Sequence, residues 1–128
     1  MDVLSSRVIL TTADLGRLRR FYEEVVGLHP YREYGSAGEV SGVVLFLGGG
    51  FLELVRGDPT PVSAGMKLWL QVADLDAEER RLDAAAVTIT KPRGRMPWGL
   101  DELWLVDPDG WELRIIEVPP EHPLRRRG

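Results

Sequence analysis

The sequence predicts an α+β fold of two like modules, each a strand, a helix and three further strands. Three observations carry this. First, Val8-Ile9-Leu10-Thr11-Thr12-Ala13-Asp14-Leu15 recurs in outline 60 residues later as Leu68-Trp69-Leu70-Gln71-Val72-Ala73-Asp74-Leu75. Second, in both copies an apolar run ends at Ala-Asp-Leu and helical spacing follows. Third, each helix precedes short branched or aromatic runs separated by Gly or Asp-Pro-Asp-Gly turns.

The elements follow in order. Arg7 to Thr11 alternates and is rich in branched residues, which predicts a strand. Asp14 suits a helix N-cap, its carboxylate accepting an unpaired backbone N–H. Leu15, Leu18, Phe21, Tyr22, Val25 and Val26 then recur at helical spacing, with Arg17, Arg19, Arg20, Glu23 and Glu24 between them. Gly27 suits a C-terminal stop. Tyr31 to Tyr34, Val43 to Leu47 and Phe51 to Val55 are strands, with Gly48-Gly49-Gly50 as a hairpin turn. Asp58-Pro59-Thr60-Pro61 breaks the chain and opens a linker.

In the second copy Lys67 to Val72 is a strand. Asp74 or Asp76 caps the helix, with Glu79 placed as in a capping box. Leu75, Leu82, Ala85 and Ala86 form its apolar face. Val87 to Thr90, Glu102 to Val106 and Trp111 to Val118 are strands. Asp107-Pro108-Asp109-Gly110 turns between the last two, its aspartates capping the turn. Lys91-Pro92-Arg93-Gly94-Arg95 reads as a solvated loop or a basic lid. Pro119-Pro120 ends the last strand, and Arg125-Arg126-Arg127 reads as a mobile tail. The expected organisation is a first module at 1–57, a linker at 58–65, a second module at 66–118 and a tail at 119–128.

Composition narrows the function. The 128 residues hold no cysteine, which excludes thiol nucleophiles, disulfides and thiolate metal sites. A net charge of −4 argues against general nucleic-acid affinity. No apolar run reaches the roughly 20 residues of a membrane span, and the N-terminus has no signal-peptide pattern. A cytoplasmic protein is the default expectation.

Ala13-Asp14-Leu15 with Phe21-Tyr22 and Val26-Gly27-Leu28 mark the first half. Val72-Ala73-Asp74-Leu75, Pro97-Trp98-Gly99 and Asp107-Pro108-Asp109-Gly110-Trp111 mark the second. Together, in order, they make the chain resemble the vicinal oxygen chelate superfamily of glyoxalase I, extradiol dioxygenases and bleomycin-resistance proteins. The resemblance implies two βαβββ modules forming a cup-shaped mixed β-sheet, with helices on the convex face and a ligand site in the cup. It also implies a homodimer. Metal-dependent members carry ligands on the first and last strands of each module. Those positions fall on Arg7, Glu53, Lys67 and Arg114. Arginine offers donors only, and Glu53 alone keeps a ligand type. His29 and His122 lie elsewhere in the sequence. The expectation is no bound metal and no cofactor.

Strand alternation extends the argument. If Arg7, Glu53, Lys67 and Arg114 face the cup, so do Ile9, Phe51, Val55, Trp69, Gln71, Glu112 and Ile116. Leu10, Leu52, Leu54, Leu68, Leu70, Leu113 and Ile115 then face the helices. Glu102 and Trp104 also face the cup, and Trp98 lies on a rim loop. The expected ligand-binding residues are therefore Arg7, Phe51, Glu53, Lys67, Trp69, Trp98, Trp104 and Arg114. Aromatic walls over a basic floor suit a planar or anionic small molecule. The competing reading is neutralisation, with Glu53 and Glu112 pairing with the cations. Trp111 reads as core.

Two functions stay open. One is metal-independent binding of an aromatic or anionic compound, as in resistance-like sequestration. The other is a metal-independent isomerase, lyase or cyclase with Glu53 as base and Arg114 or Lys67 stabilising an enolate. A metal-dependent dioxygenase or glyoxalase is disfavoured by the ligand positions. The residues do not decide between binding and catalysis.

Overall fold

The computed structural model describes residues 1–58 and 61–126. Within the proposed linker turn, Pro59 and Thr60 lie outside the described residues, as does Arg127 of the tail. The chain divides into two compact units, Met1–Pro61 and Val62–Gly128. Each is a βαβββ module, so the α+β class predicted from the repeat is the fold observed.

The first unit runs β1 (Arg7–Thr12), α1 (Leu15–Arg20), β2 (Pro30–Ser36), β3 (Glu39–Leu47) and β4 (Gly50–Arg56). Its sheet order is β1-β4-β3-β2. β1 lies parallel to β4, and the other pairs are antiparallel. Asp14 caps α1 by accepting the Arg17 backbone N–H at 3.1 Å. The buried Thr12 hydroxyl accepts the Asp14 N–H at 3.1 Å and fixes the entry of the chain. Leu10, Leu52, Leu54, Val43 and Leu45 share one face and are buried with Leu15, Leu18, Phe21 and Tyr22 of the helical segment. Full burial of each such leucine stabilises the unit by about 1.5–3 kcal/mol.

The helix differs from the expected single α-helix in its second half. Phe21–Val26 is π-helical, and the backbone N–H groups of Gly27 and Leu28 both reach the Tyr22 carbonyl, at 3.1 and 2.9 Å. Phe21 and Tyr22 are sequence neighbours, yet both are buried, with rings edge-to-face at 5.1 Å. The wider turn accommodates both bulky rings on the core side. Gly27 ends the segment with φ 89°, as expected of a C-terminal glycine.

The second unit runs β5 (Lys67–Gln71), α2 (Leu75–Ala84), β6 (Thr88–Arg95), β7 (Asp101–Val106), β8 (Glu112–Glu117) and α3 (Pro123–Arg126). Its sheet order, β5-β8-β7-β6, repeats the first, with β5 parallel to β8. Leu75 and Leu82 of α2 are buried, as are Leu103, Leu105, Leu113 and Ile115 of β7 and β8. The Leu75 backbone N–H is also met by the Glu117 carboxylate at 2.8 Å, tying helix to last strand.

Several expectations are corrected here. Asp74, not Asp76, caps α2, through the Ala77 N–H. Glu79 forms no capping box; it and Asp76 face Arg93. Ala85 and Ala86 are exposed rather than apolar core, because α2 ends at Ala84 and Ala86 turns to φ 55°. Lys91–Arg95 is neither loop nor lid: it extends β6, with register shifts around Lys91 that absorb Pro92. Ile116 is fully buried with Leu100 and Val118, a small second core on the sheet face away from α2. Trp111 is half-buried, outside the main core, because β8 begins after it. The expected mobile tail includes Arg125 and Arg126, whose backbone closes the helical turn α3. Among the described residues no helix is long and apolar enough to cross a membrane.

Candidate functional site

In the first unit Arg7, Phe51 and Glu53 lie on the face away from α1, on adjacent strands β1 and β4. Arg7 Nη1 donates to Glu53 Oε1 at 2.6 Å. The second carboxylate oxygen accepts the hydroxyl of Tyr34, a residue the sequence reading missed. Tyr34 stands on β2, two strands from Glu53, with β3 between them. It crosses because its register partner on β3 is Gly42. A Cβ at Gly42 would meet the Tyr34 ring at 2.4 Å. The missing side chain is the channel through which the phenol reaches the carboxylate.

This wiring sets the electrostatics. The Tyr34 hydroxyl, and then Arg7, hold the Glu53 carboxyl below the usual carboxylate range against the opposite pull of burial. Burial, and then the bond to Glu53, push the Tyr34 phenol up to about 12. A carboxylate that already accepts two donors is a poor proton acceptor. Beyond it, Tyr31, Phe46 and Phe51 form a ring cluster with centroids 5.1 to 5.6 Å apart. Tyr31 and Phe46 remain about half exposed. Arg7 lies over the Phe51 ring at 5.8 Å.

In the second unit the sheet register sets Trp69 and Trp104 on either side of Arg114. The Arg114 guanidinium stacks on the Trp104 ring at 3.6 Å. Its Nε donates to Glu112 at 3.0 Å. Among the described residues no acceptor meets its two terminal nitrogens. Lys91, opposite Trp104 on β6, places its ammonium 5.6 Å from the same ring. The expected aromatic wall at Trp104 is thus partly covered: cations approach the ring that a ligand was expected to use. Trp69 and Trp98 remain about half exposed.

Glu102 is the second residue whose role the sequence reading did not find. It is 1% exposed, and its two oxygens accept the indole N–H of Trp98 at 2.6 Å and of Trp104 at 2.7 Å. Trp98, Glu102, Trp104, Arg114 and Glu112 therefore form one connected series from the 96–99 turn to β8. The spacing Trp98-x-x-x-Glu102-x-Trp104 was the available signal. His122 also touches the turn, its Nε2 lying 3.2 Å from the Trp98 carbonyl oxygen. Lys67 does not join the network, although it is the register partner of Glu112. Its ammonium donates to the Ala64 carbonyl at 2.8 Å.

The four positions that the resemblance assigns to metal ligands do not fit a divalent cation. The first unit supplies Arg7 and Glu53, already bonded to each other. The second supplies Lys67 and Arg114, which have only donors at neutral pH. Among the described residues no group of three His, Asp or Glu side chains is placed to hold a metal ion. The neutralisation expected of the carboxylates is present as Arg7–Glu53 and Arg114–Glu112 pairs.

The sequence profile described as Glyoxalase/Bleomycin resistance protein/Dioxygenase superfamily matches residues 5–115. Among solved structures, TioX from Micromonospora sp. ML1 is similar at 25% identity and a TM-score of 0.75, covering 90% of this chain and 98% of that one. A superfamily member from Sphaerobacter thermophilus DSM 20745 is 24% identical, with a TM-score of 0.69 over 91% of this chain and 98% of that one. A lactoylglutathione lyase from Agrobacterium tumefaciens is 20% identical, with a TM-score of 0.68 over 91% and 94%. At the last two identities the likeness shows the fold alone. No curated protein matches the sequence.

Proposed function

The chain belongs to the Glyoxalase/Bleomycin resistance protein/Dioxygenase superfamily, and from that premise we propose that it is a metal-independent binding protein for an aromatic or anionic small molecule. The observation that carries this is Arg114, held flat on Trp104 with its terminal nitrogens unengaged among the described residues, in register with half-exposed Trp69. A guanidinium so fixed binds a carboxylate or phosphate without first being ordered, and an adjacent indole stacks on a ring. The role is resistance-like sequestration by a cytoplasmic homodimer without affinity for nucleic acid.

The donor chemistry supports the metal-independent part. Three of the four positions carry cationic side chains, and Glu53 is committed to Arg7 and Tyr34. The same commitment weighs against the alternative isomerase, lyase or cyclase, because a carboxylate held low is a weak general base. A thermal-shift screen of aromatic acids, followed by mass spectrometry of each hit after long incubation, tests the reading. Binding with the compound unchanged is expected. Turnover abolished by Glu53→Gln with binding retained would replace it with the enzyme. One stoichiometric divalent ion, lost on Glu53→Gln, would overturn metal independence. Light scattering checks the dimer.

A further inference from the structure

The least expected feature of the second unit is a buried carboxylate whose hydrogen-bond partners are two indoles. Glu102 is 1% exposed and accepts Trp98 Nε1 and Trp104 Nε1 at 2.6 and 2.7 Å. Each indole has one donor and no acceptor. Both donors are consumed. Trp98, about half exposed on its turn, is left with only its ring faces to offer. Trp104 is held at the other end of the same carboxylate, and Arg114 stacks on it. The polar groups left around Trp104 are the Arg114 terminal nitrogens and Lys91, with the Glu112 carboxylate beside them taken by Arg114 Nε.

We propose that Glu102 is the positioning residue that sets ligand choice at this site: by engaging both indole N–H groups it selects planar aromatic anions over neutral aromatic acceptors of the same shape. The inference rests on the binding reading above and narrows its ligand class. A neutral ketone or amide finds no free donor at Trp98 or Trp104, and the indole N–H left at Trp69 carries no charge. An aromatic carboxylate finds a ring face fixed at Trp98 and charge-assisted donors at Arg114.

The consequence is directional. Glutamine at position 102 keeps one acceptor oxygen but turns an NH2 toward the second indole N–H. One indole is then released as a free donor. Neutral acceptors gain a partner, while the carboxylate loses a fixed ring and a fixed Arg114. Discrimination falls from both sides.

The test uses 2-naphthoate and 2-acetylnaphthalene as probes, equal in ring and differing in charge. The wild-type protein is expected to bind naphthoate at least about tenfold more tightly, an interval of ~1.4 kcal/mol. Glu102→Gln is expected to shrink that ratio by most of this factor and to increase acrylamide quenching of tryptophan fluorescence. Trp98→Phe, at a half-exposed position, keeps a ring face but removes the pinned N–H. It leaves one Glu102 oxygen without its indole donor, an anionic atom that disfavours naphthoate and not the ketone. The ratio is therefore expected to shrink too, and this variant decides the matter should Glu102→Gln fail to fold. An unchanged ratio in a folded variant overturns the role of Glu102 while leaving the binding reading intact. A wild-type protein that binds neither probe overturns the binding reading, and this inference with it.

Discussion

Glu53 in the first unit and Glu102 in the second each accept two side-chain donors, but of opposite kinds. Glu53 takes a phenol and a guanidinium. Glu102 takes two neutral indoles. The first carboxylate neutralises the cation beside it. The second orders aromatic rings and leaves the nearby guanidinium stacked on one of them. Two modules with the same strand order and the same helix cap therefore carry different chemistry on equivalent sheet faces. The duplication constrains the helix-facing side, where buried leucines pack, and leaves the other side free to diverge.

The largest expected effect tests the shared side. Leu54→Ala and Leu113→Ala both empty fully buried positions beneath a helix. Each is expected to lower stability by about 2–5 kcal/mol in urea titrations. Costs differing by more than about twofold would break the equivalence of the two cores.

A smaller effect tests what is particular to the first unit. Gly42→Ala places a methyl where the Tyr34 ring lies, with an expected loss of about 1–3 kcal/mol. Ultraviolet titration should then show the phenol falling from about 12 toward its ordinary 10.0. A phenol that stays high would mean Tyr34 reaches Glu53 by another path.

Next comes the pH dependence. Glu53 is held below its ordinary 4.5 in the fold. Its contribution is therefore full above the unfolded value and is lost as pH falls through the folded one. Tyr34→Phe removes the leading cause of that depression, so the acid limb of the stability profile should flatten. On the alkaline side, Tyr34 contributes fully below pH 10 and loses its contribution as pH rises toward about 12. The variant should lack this limb as well. The smallest expected change is Trp69→Phe, within about 0.5 kcal/mol for a half-exposed side chain. A larger loss would assign Trp69 to the core rather than to a binding face.

The legible part of the fold was written locally. Ala-Asp-Leu marked both helix starts because the cap bond spans only three residues, from Asp14 to Arg17 and from Asp74 to Ala77. Strict alternation placed Leu52 and Leu54 opposite Glu53, and the structure keeps that register. Where local signals and pairing disagree, pairing prevails. Pro92 and Gly94 suggested a loop, yet Trp104, Glu102 and Asp101 of β7 pair with Lys91, Gly94 and Arg95 and draw the segment into the sheet. Ile116 alternated with the charges but is covered by Leu100 and Val118, which approach from outside its strand. Tyr34 and Glu102 were hidden for a related reason. The Tyr34 bond depends on an absent side chain on an intervening strand, and the Glu102 bonds depend on where the 96–99 turn folds back.

Gly42 also bears on how this module can evolve. One hydrogen atom at its Cα keeps Glu53 occupied with Tyr34. Replacing it with a methyl, on a strand that carries no charged group of the site, would uncouple the pair and raise the basicity of a carboxylate already facing outward. A single small mutation thus changes a carboxylate held by a phenol and a guanidinium into one held by Arg7 alone. The basicity of the module's carboxylate is set in part from a strand that carries none of its charged groups, and it can drift without any change at Glu53, Tyr34 or Arg7.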